Sequence, residues 1–167
     1  MLRVGVLASG SGTLFQAIAD GQDDAYSVAV LISDRADIPA LERAARAGIP
    51  AVVIDFKAIG ERDAFSEQVA KALVEHAVDL VAPRPILNSH PALLPAFPGA
   101  HGVRDAINAG VKVTGATIHL VIPEVDAGPI LVQEAVPVLA DDDEDSLHER
   151  IKAVEQRLYP EVIRTFA

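Results

Sequence analysis

Asn88 and His90 are the two side chains of this sequence whose types and spacing best fit catalysis. They end a short apolar run that begins at Ile86, and a stretch with three prolines and Gly99 follows them. The run predicts a strand, so both side chains would lie where it ends, and open α/β sheets bind ligands at that edge. An amide beside an imidazole can stabilise an oxyanion and move a proton near neutral pH. A polar turn without catalytic function is the alternative.

Asp126 is a candidate partner for the His90 ring. It lies in a loop bounded by prolines, between two predicted strands. An aspartate in such a loop can form an ordinary Asx turn in solvent. It can also place its carboxylate against an imidazole, which fixes the orientation of the ring and favours its charged form. Both interpretations stay open at this point.

A glycine-rich segment near the N-terminus forms a second candidate site, which we call the glycine turn: Gly10, Ser11, Gly12 and Thr13. It follows an apolar run and precedes a helical pattern. Backbone N–H groups and the dipole at a helix start favour an anion, and glycine allows close approach. The spacing differs from both the dinucleotide fingerprint and the lysine-containing phosphate loop. The turn predicts phosphate binding, with a plain strand-to-helix turn as the alternative.

Three further ionisable residues carry weaker signals. His119 falls inside a predicted strand, where a structural role is favoured. His101 follows the proline-rich stretch, where a ligand contact and a turn are equally good interpretations. Glu155 falls on the last predicted helix, where an exposed helix face is the default. The sequence has no dense His/Asp/Glu spacing for a metal and no serine-hydrolase motif.

Composition restricts the class of protein. The chain has 167 residues, of which 50% are hydrophobic, so a folded core is expected rather than disorder. The net charge of −10 argues against nucleic acid as the main partner. The sequence has no cysteine, no apolar run long enough for a membrane span and no signal-peptide pattern, which together favour a cytoplasmic location.

The elements that would position these residues alternate between strand and helix in the first half of the chain. Strand patterns cover residues 3–8, 26–33 and 51–54, and helical patterns cover 14–20, a segment from Pro39, and 61–77. This order predicts an α/β, Rossmann-like fold with a mostly parallel twisted sheet flanked by helices. We expect a single domain over residues 1–167.

The second half predicts antiparallel strands toward the C-terminus. A short helix over residues 103–109 precedes strands at 114–121 and 130–136, whose close spacing favours antiparallel pairing. Ser146 and Glu149 fit a capping box that would open the last helix. Pro160 should make that helix bend or restart.

One join conflicts with this interpretation. Strand patterns at residues 79–82 and 86–88 are separated only by Pro83, Arg84 and Pro85. Neighbouring parallel strands need a crossover of about a dozen residues or more. Either a crossover segment is absent near residues 82–86, or the two patterns form one irregular strand.

Taken together, the motifs resemble the phosphoribosylglycinamide formyltransferase family, which is folate-dependent. The resemblance covers nearly the whole chain and rests on the glycine turn, the Asn-x-His-Pro-x-Leu-Leu-Pro pattern from Asn88, the Asp-x-Gly-Pro loop at Asp126, and the helix with Glu155. It implies transfer of a formyl group from 10-formyltetrahydrofolate, a cosubstrate, to the amine of glycinamide ribonucleotide in purine biosynthesis. No metal and no covalent intermediate are implied.

The resemblance also implies residue roles. Asn88, His90 and Asp126 would be catalytic: the first two would stabilise the oxyanion, and His90, held by Asp126, would help move the proton to the departing folate nitrogen. Gly10, Ser11, Gly12 and Thr13 would bind the substrate phosphate, while Pro91 and Glu155 would contact substrate. The two substrates are the expected partners, without nucleic acid or membrane, and the resemblance is compatible with a homodimer.

The sequence departs from the family at the same join. Members carry a folate-lining segment and a helix where Pro83, Arg84 and Pro85 stand here, so we expect about 15–20 residues to be absent, enough for the crossover. The alternatives are formyltetrahydrofolate deformylase, which normally has an additional N-terminal domain, and a catalytically impaired ribonucleotide-binding protein. Methionyl-tRNA formyltransferase is disfavoured by the acidic charge and by the lack of a tRNA-binding domain.

Overall fold

The protein's structure is a computed structural model that describes residues 1–79 and 85–167. The chain divides into two compact units, which we call the N-terminal unit (Met1–Arg84 with Ile163–Ala167) and the C-terminal unit (Pro85–Val162). Most of the predicted strand at residues 79–82, and Pro83 and Arg84 of the predicted deletion site, lie outside the described residues. The single-domain interpretation and the absent crossover therefore stay predictions.

The N-terminal unit alternates strands and helices as predicted. Its elements are β1 (Leu2–Leu7), α1 (Thr13–Asp20), β2 (Tyr26–Ser33), α2 (Pro39–Arg46), β3 (Ala51–Val53), α3 (Phe56–Ile59) and α4 (Arg62–Glu75). The strands form a parallel sheet in the order β1-β2-β3. The central strand β2 is an apolar run with both faces covered, which is typical of parallel sheets. The short helix α3, capped by Asp55, was not predicted.

The C-terminal unit contains an antiparallel sheet and one long helix. Its elements are β4 (Leu87–His90), α5 (Gly102–Asn108), β5 (Val113–Leu120), β6 (Ile130–Pro137) and α6 (Glu144–Arg164). The strand order is β4-β5-β6, and both pairings are antiparallel. Ala116 and Val136 of the sheet pack with Leu147 and Ile151 of α6 in the core. The predicted fold class, a parallel sheet with helices followed by antiparallel strands, is confirmed.

The start of α6 differs from the prediction, and of the two outcomes expected at Pro160, a bend or a restart, the restart does not occur. The helix begins at Glu144 rather than after Ser146, because Asp143 provides the cap: its carboxylate accepts from the Ser146 N–H, and its own N–H donates to Ser146 Oγ. The helix also continues through Pro160 to Arg164 without a restart. Proline removes one backbone donor, and a helix of 21 residues tolerates that loss. Within residues 1–79 and 85–167, no helix is long and apolar enough to cross a membrane.

Candidate active site

The register of β4 and β5 collects four polar side chains on one face of the antiparallel sheet. Asn88 lies opposite His119, and His90 lies opposite Thr117. Because side chains alternate along a strand and directly opposite residues share a face, all four point to the same side. Asn88 and His119 are 31 positions apart in sequence, so the strand pairing, not local spacing, builds this group.

His90 is buried, and both of its ring nitrogens face acceptors. Nε2 lies 2.7 Å from the Phe97 carbonyl oxygen, and Nδ1 lies 3.4 Å from Oδ2 of Asp126. Both contacts are hydrogen bonds only when both nitrogens carry a proton. A Cβ at position 102 would come within 3.0 Å of His90 Nε2 and of the Phe97 oxygen, so Gly102 leaves room for this contact.

Asp126 connects the loop between β5 and β6 to the histidines. Its Oδ2 accepts from the Gly99 N–H at 2.7 Å, and its Oδ1 lies 3.6 Å from Nε2 of His119. The residue has a positive φ of 53°, a conformation that aspartate adopts more readily than most residues. Gly128 lets the loop return against β5, because a Cβ there would lie 1.7 Å from the Leu120 carbonyl oxygen.

His119 is a buried histidine with both ring nitrogens partnered, as expected for a structural role, and it also contacts the candidate site residue Asn88. Its Nδ1 faces the Leu120 carbonyl oxygen at 2.9 Å, so this nitrogen donates. Its Nε2 then accepts from the Asn88 amide, whose Nδ2 lies 3.3 Å away. The Asn88 amide is thereby oriented. Only the antiparallel register with Asn88, which the sequence does not state, could have revealed His119.

The turn after β4 begins with Pro91, which follows His90 directly. A buried polar network holds this turn in place. Thr117 Oγ1 donates to the Ala92 carbonyl and accepts from the Leu94 N–H, at 2.6 and 3.1 Å. The Gln133 amide donates to Thr117 Oγ1 and to the Leu94 carbonyl. Two strands therefore fix the turn that carries the chain from His90 to Phe97.

Glu155 is buried on α6, whereas the helical pattern alone predicted an exposed face. The residue is 8% exposed, and Ser89 Oγ donates to its Oε1. Burial raises the pKa of the Glu155 carboxyl, while the Ser89 hydrogen bond and the charges of His90 and Lys152 act in the opposite direction. His101 lies at the N-cap of α5 and is exposed, without a side-chain capping bond.

The glycine turn lies in the N-terminal unit, between β1 and α1. Gly12 is the N-cap of α1 with a φ of 69°, and no side chain caps the helix. A Cβ at this position would come within 2.6 Å of the Ala40 Cβ. Both the positive φ and this close approach therefore require glycine. Arg43 Nε donates to the Ser11 carbonyl at 2.9 Å, which brings a positive charge to the turn.

A cleft of about 390 Å³ adjoins the glycine turn within the same unit. It opens at the carboxyl ends of β1 and β2, where Ser9 and Asp34 line it, and Arg62 and Phe65 of α4 form the opposite side. Arg62 was not among the residues selected from the sequence. The feature that could have indicated it is a positively charged residue at the start of a helix that follows a parallel strand.

The group at β4 and β5 can stabilise negative charge that develops on a carbonyl oxygen. The Asn88 amide and the His90 ring supply donors, His119 orients the amide, and the Asp126 carboxylate orients the His90 ring. None of the described residues on this face is a serine, cysteine or lysine, which suits direct transfer between two bound substrates. Among the residues that the structure describes, no group of three or more His, Asp or Glu is arranged to hold a metal ion.

Comparison with known proteins identifies the relatives of this arrangement. A family model described as formyl transferase matches residues 2–84 and 81–163. The chain belongs to the formyl transferase family. A relative from Mycobacterium tuberculosis, named phosphoribosylglycinamide formyltransferase, is 42% identical over 182 aligned positions, covering 99% of this chain and 85% of the relative. The family predicted from the motifs, and formyl transfer as the enzyme class, are confirmed.

Solved formyl transferase structures agree with this assignment. Glycinamide ribonucleotide transformylase 1 from Symbiobacterium toebii has a TM-score of 0.93 and 49% identity, covering 99% of this chain and 87% of that chain.

The trifunctional purine biosynthetic protein adenosine-3 of Gallus gallus is 39% identical, and this chain covers 18% of its length. Similar sequences thus make up most of the length of some relatives and a small part of a larger one.

Proposed function

We propose that this formyl transferase moves a formyl group from 10-formyltetrahydrofolate to the amine of glycinamide ribonucleotide in purine biosynthesis. The observation that carries the proposal is the group formed by Asn88, His90, His119 and Asp126. Its Asn88 and His90 provide donors for a carbonyl oxygen, and it contains no serine, cysteine or lysine nucleophile, which suits direct transfer. The names of the similar proteins support this substrate pair.

The reaction forms and breaks one bond at the formyl carbon. The substrate amine attacks this carbon, a tetrahedral oxyanion forms, and the bond to the folate nitrogen then breaks. The amine loses one proton and the departing nitrogen gains one. Asn88 donates to the oxyanion, and His90 donates to it once one of its own two hydrogen bonds, to the Phe97 carbonyl or to Asp126, has opened. Proton transfer by His90 requires one of those two hydrogen bonds to open.

The ribonucleotide phosphate is assigned to the glycine turn. Helix α1 begins there without a side-chain cap, so its first N–H groups are available to an anion. Arg43 adds a cation through its contact with Ser11. Pro91 and Glu155 remain the proposed substrate contacts in the C-terminal unit. We keep a cytoplasmic location and a homodimer as further proposals that rest on the family alone.

A second candidate function is ribonucleotide binding without formyl transfer. The alignment with the Mycobacterium tuberculosis relative has 182 positions and this chain has 167 residues, so at least 15 positions lack a residue here. The two parts of the family match overlap at residues 81–84, next to the predicted deletion near residues 82–86. Both observations support an absent crossover, which would weaken the folate site and leave the ribonucleotide contacts.

The test separates binding from transfer. Calorimetry of the purified chain with each substrate gives two affinities, and folate turnover is then followed with and without glycinamide ribonucleotide. We expect both substrates to bind, and turnover to require the ribonucleotide. Turnover without ribonucleotide would favour the deformylase. Ribonucleotide binding without turnover would favour the second candidate, and inserting the relative's additional segment after Ala82 should then restore folate binding.

A further inference from the structure

The strand β4 presents different side chains on its two faces. Asn88 and His90 point to the catalytic face, and Ser89, one position away, points to the opposite face, which packs against α6. Ser89 lies opposite Ile118, and Ala116 on this same face packs in the core with Leu147 and Ile151. The face that holds Ser89 is therefore an apolar helix-to-sheet contact, where a serine is not required for packing.

Two hydrogen bonds connect α6 to β4 across this contact. Ser89 Oγ donates to Oε1 of Glu155, and the hydroxyl of Tyr159 donates to the Leu87 carbonyl at 2.9 Å. Glu155 and Tyr159 are four residues apart on the helix, so they lie on one helical face. Leu87 and Ser89 are two residues apart on the strand and also share a face. The two bonds fix the helix against the strand at the position of the catalytic residues.

The Ser89 hydroxyl matters because the Glu155 carboxylate is buried. A buried carboxylate is costly unless donors or positive charges compensate for lost water. Ser89 supplies a donor to one oxygen, and the charges of His90 and Lys152 lie near enough to favour the ionised form. The remaining oxygen, Oε2, can accept from a hydroxyl or amine group, and a ribonucleotide carries such donors.

We propose that Ser89 is a positioning residue for the ribonucleotide, which it serves by orienting the Glu155 carboxylate so that Oε2 accepts from a substrate donor. This inference rests on the proposed function, because it requires the ribonucleotide to bind this chain. It separates two roles on adjacent residues of β4. Asn88 and His90 act on the reacting carbonyl, whereas Ser89 acts on substrate affinity through Glu155.

The test compares Ser89→Thr with Ser89→Val, two variants of the same shape that differ in the hydroxyl. We expect Ser89→Val, like Ser89→Ala, to raise KM and Kd for glycinamide ribonucleotide about tenfold, the scale of one hydrogen bond to a charged group. The value of kcat should change by less than about twofold, since the interaction is made equally in the ground state and the transition state. Ser89→Thr should restore wild-type affinity.

A matched control removes a different buried hydroxyl from the same unit. Thr114 Oγ1 on β5 has no hydrogen-bond partner among the residues that the structure describes, so Thr114→Val should leave affinity unchanged. Equal affinity of Ser89→Val and Ser89→Thr, or a fall in kcat at constant KM, would overturn the role of Ser89. Failure of the wild-type chain to bind the ribonucleotide would instead overturn the proposed function and, with it, this inference.

Discussion

The two candidate binding regions are built from different parts of the chain. The glycine turn of the N-terminal unit presents backbone N–H groups, and its function depends on the conformation of a few consecutive residues. The group on β4 and β5 presents side chains from residues that are far apart in sequence. Asn88 contacts His119, which lies 31 positions along the chain, and His90 contacts Asp126. The first is therefore a local structure, and the second depends on tertiary packing.

This difference predicts how each region responds to substitution. Truncating a side chain should abolish the function of the β4–β5 group while leaving the fold intact. In the glycine turn the opposite is expected, because adding a methyl group to the backbone should be more damaging than altering a side chain. The following substitutions test this contrast.

The largest effect is expected at Asn88 and His90. Asn88→Ala and His90→Ala should each lower kcat by about 10²–10³, because each removes a donor to the developing oxyanion. Thermal unfolding of Asn88→Ala should remain cooperative, since Asn88 is exposed and makes one side-chain contact. Steady-state kinetics with both substrates measures the effect. Turnover close to wild type in either variant would remove that residue from the mechanism.

A smaller loss is expected for Asp126→Asn. Asparagine keeps the shape, tolerates the positive φ and can still accept from the Gly99 N–H, so the loop should hold its conformation. The charge that orients His90 is lost, and kcat should fall about tenfold to a hundredfold. Wild-type kcat in this variant would show that the charge is dispensable and that Asp126 acts only on the loop.

The glycine turn is tested by Gly12→Ala against Gly48→Ala. Both glycines have a positive φ, of 69° and 68°, so alanine introduces similar backbone strain at each. Only position 12 has Ala40 within contact distance of the added methyl group. We expect Gly12→Ala to weaken ribonucleotide binding about tenfold, the scale of one or two lost charged hydrogen bonds, and Gly48→Ala to leave it unchanged. Equal affinities, measured by calorimetry, would contradict phosphate binding at this turn.

The smallest effect concerns stability. Thr117→Val removes the hydroxyl that bridges Ala92, Leu94 and Gln133, leaving a buried Leu94 N–H without its partner. The free energy of unfolding should fall by about 1–3 kcal/mol in denaturant titrations. Thr114→Val, which loses no hydrogen bond among the described residues, should cost less than about 1 kcal/mol. Similar losses in both variants would mean that the network does not stabilise the turn.

Local patterns were sufficient to predict most of the secondary structure. The strand at residues 26–33 was predicted with the bounds of β2, because a continuous apolar run at residues 28–32 lies between the acidic residues Asp24 and Asp34. The antiparallel pairing of β5 and β6 followed from their short connection. The start of α6 was misplaced because Asp143 and Ser146 are both good caps, and the reciprocal bonds between them decide which one ends the loop.

The candidate site was only partly predictable. Asn88, His90 and the glycine turn carry their signal in a few consecutive residues. His119 and Glu155 do not, because an isolated histidine in a strand and a glutamate on a helix are both ordinary features. Their involvement depends on which residues lie opposite in the sheet and which helical face packs against it. Such contacts are set by the tertiary fold, which single-residue preferences do not encode.

The central claim is that the β4–β5 group transfers a formyl group to an amine. It is tested by a single-turnover reaction of this chain with 10-formyltetrahydrofolate that carries a labelled formyl carbon, together with glycinamide ribonucleotide. We predict that the label appears in the ribonucleotide, and about 10²–10³ more slowly in Asn88→Ala. Release of the label as formate, or its retention on folate while ribonucleotide is bound, would contradict the claim.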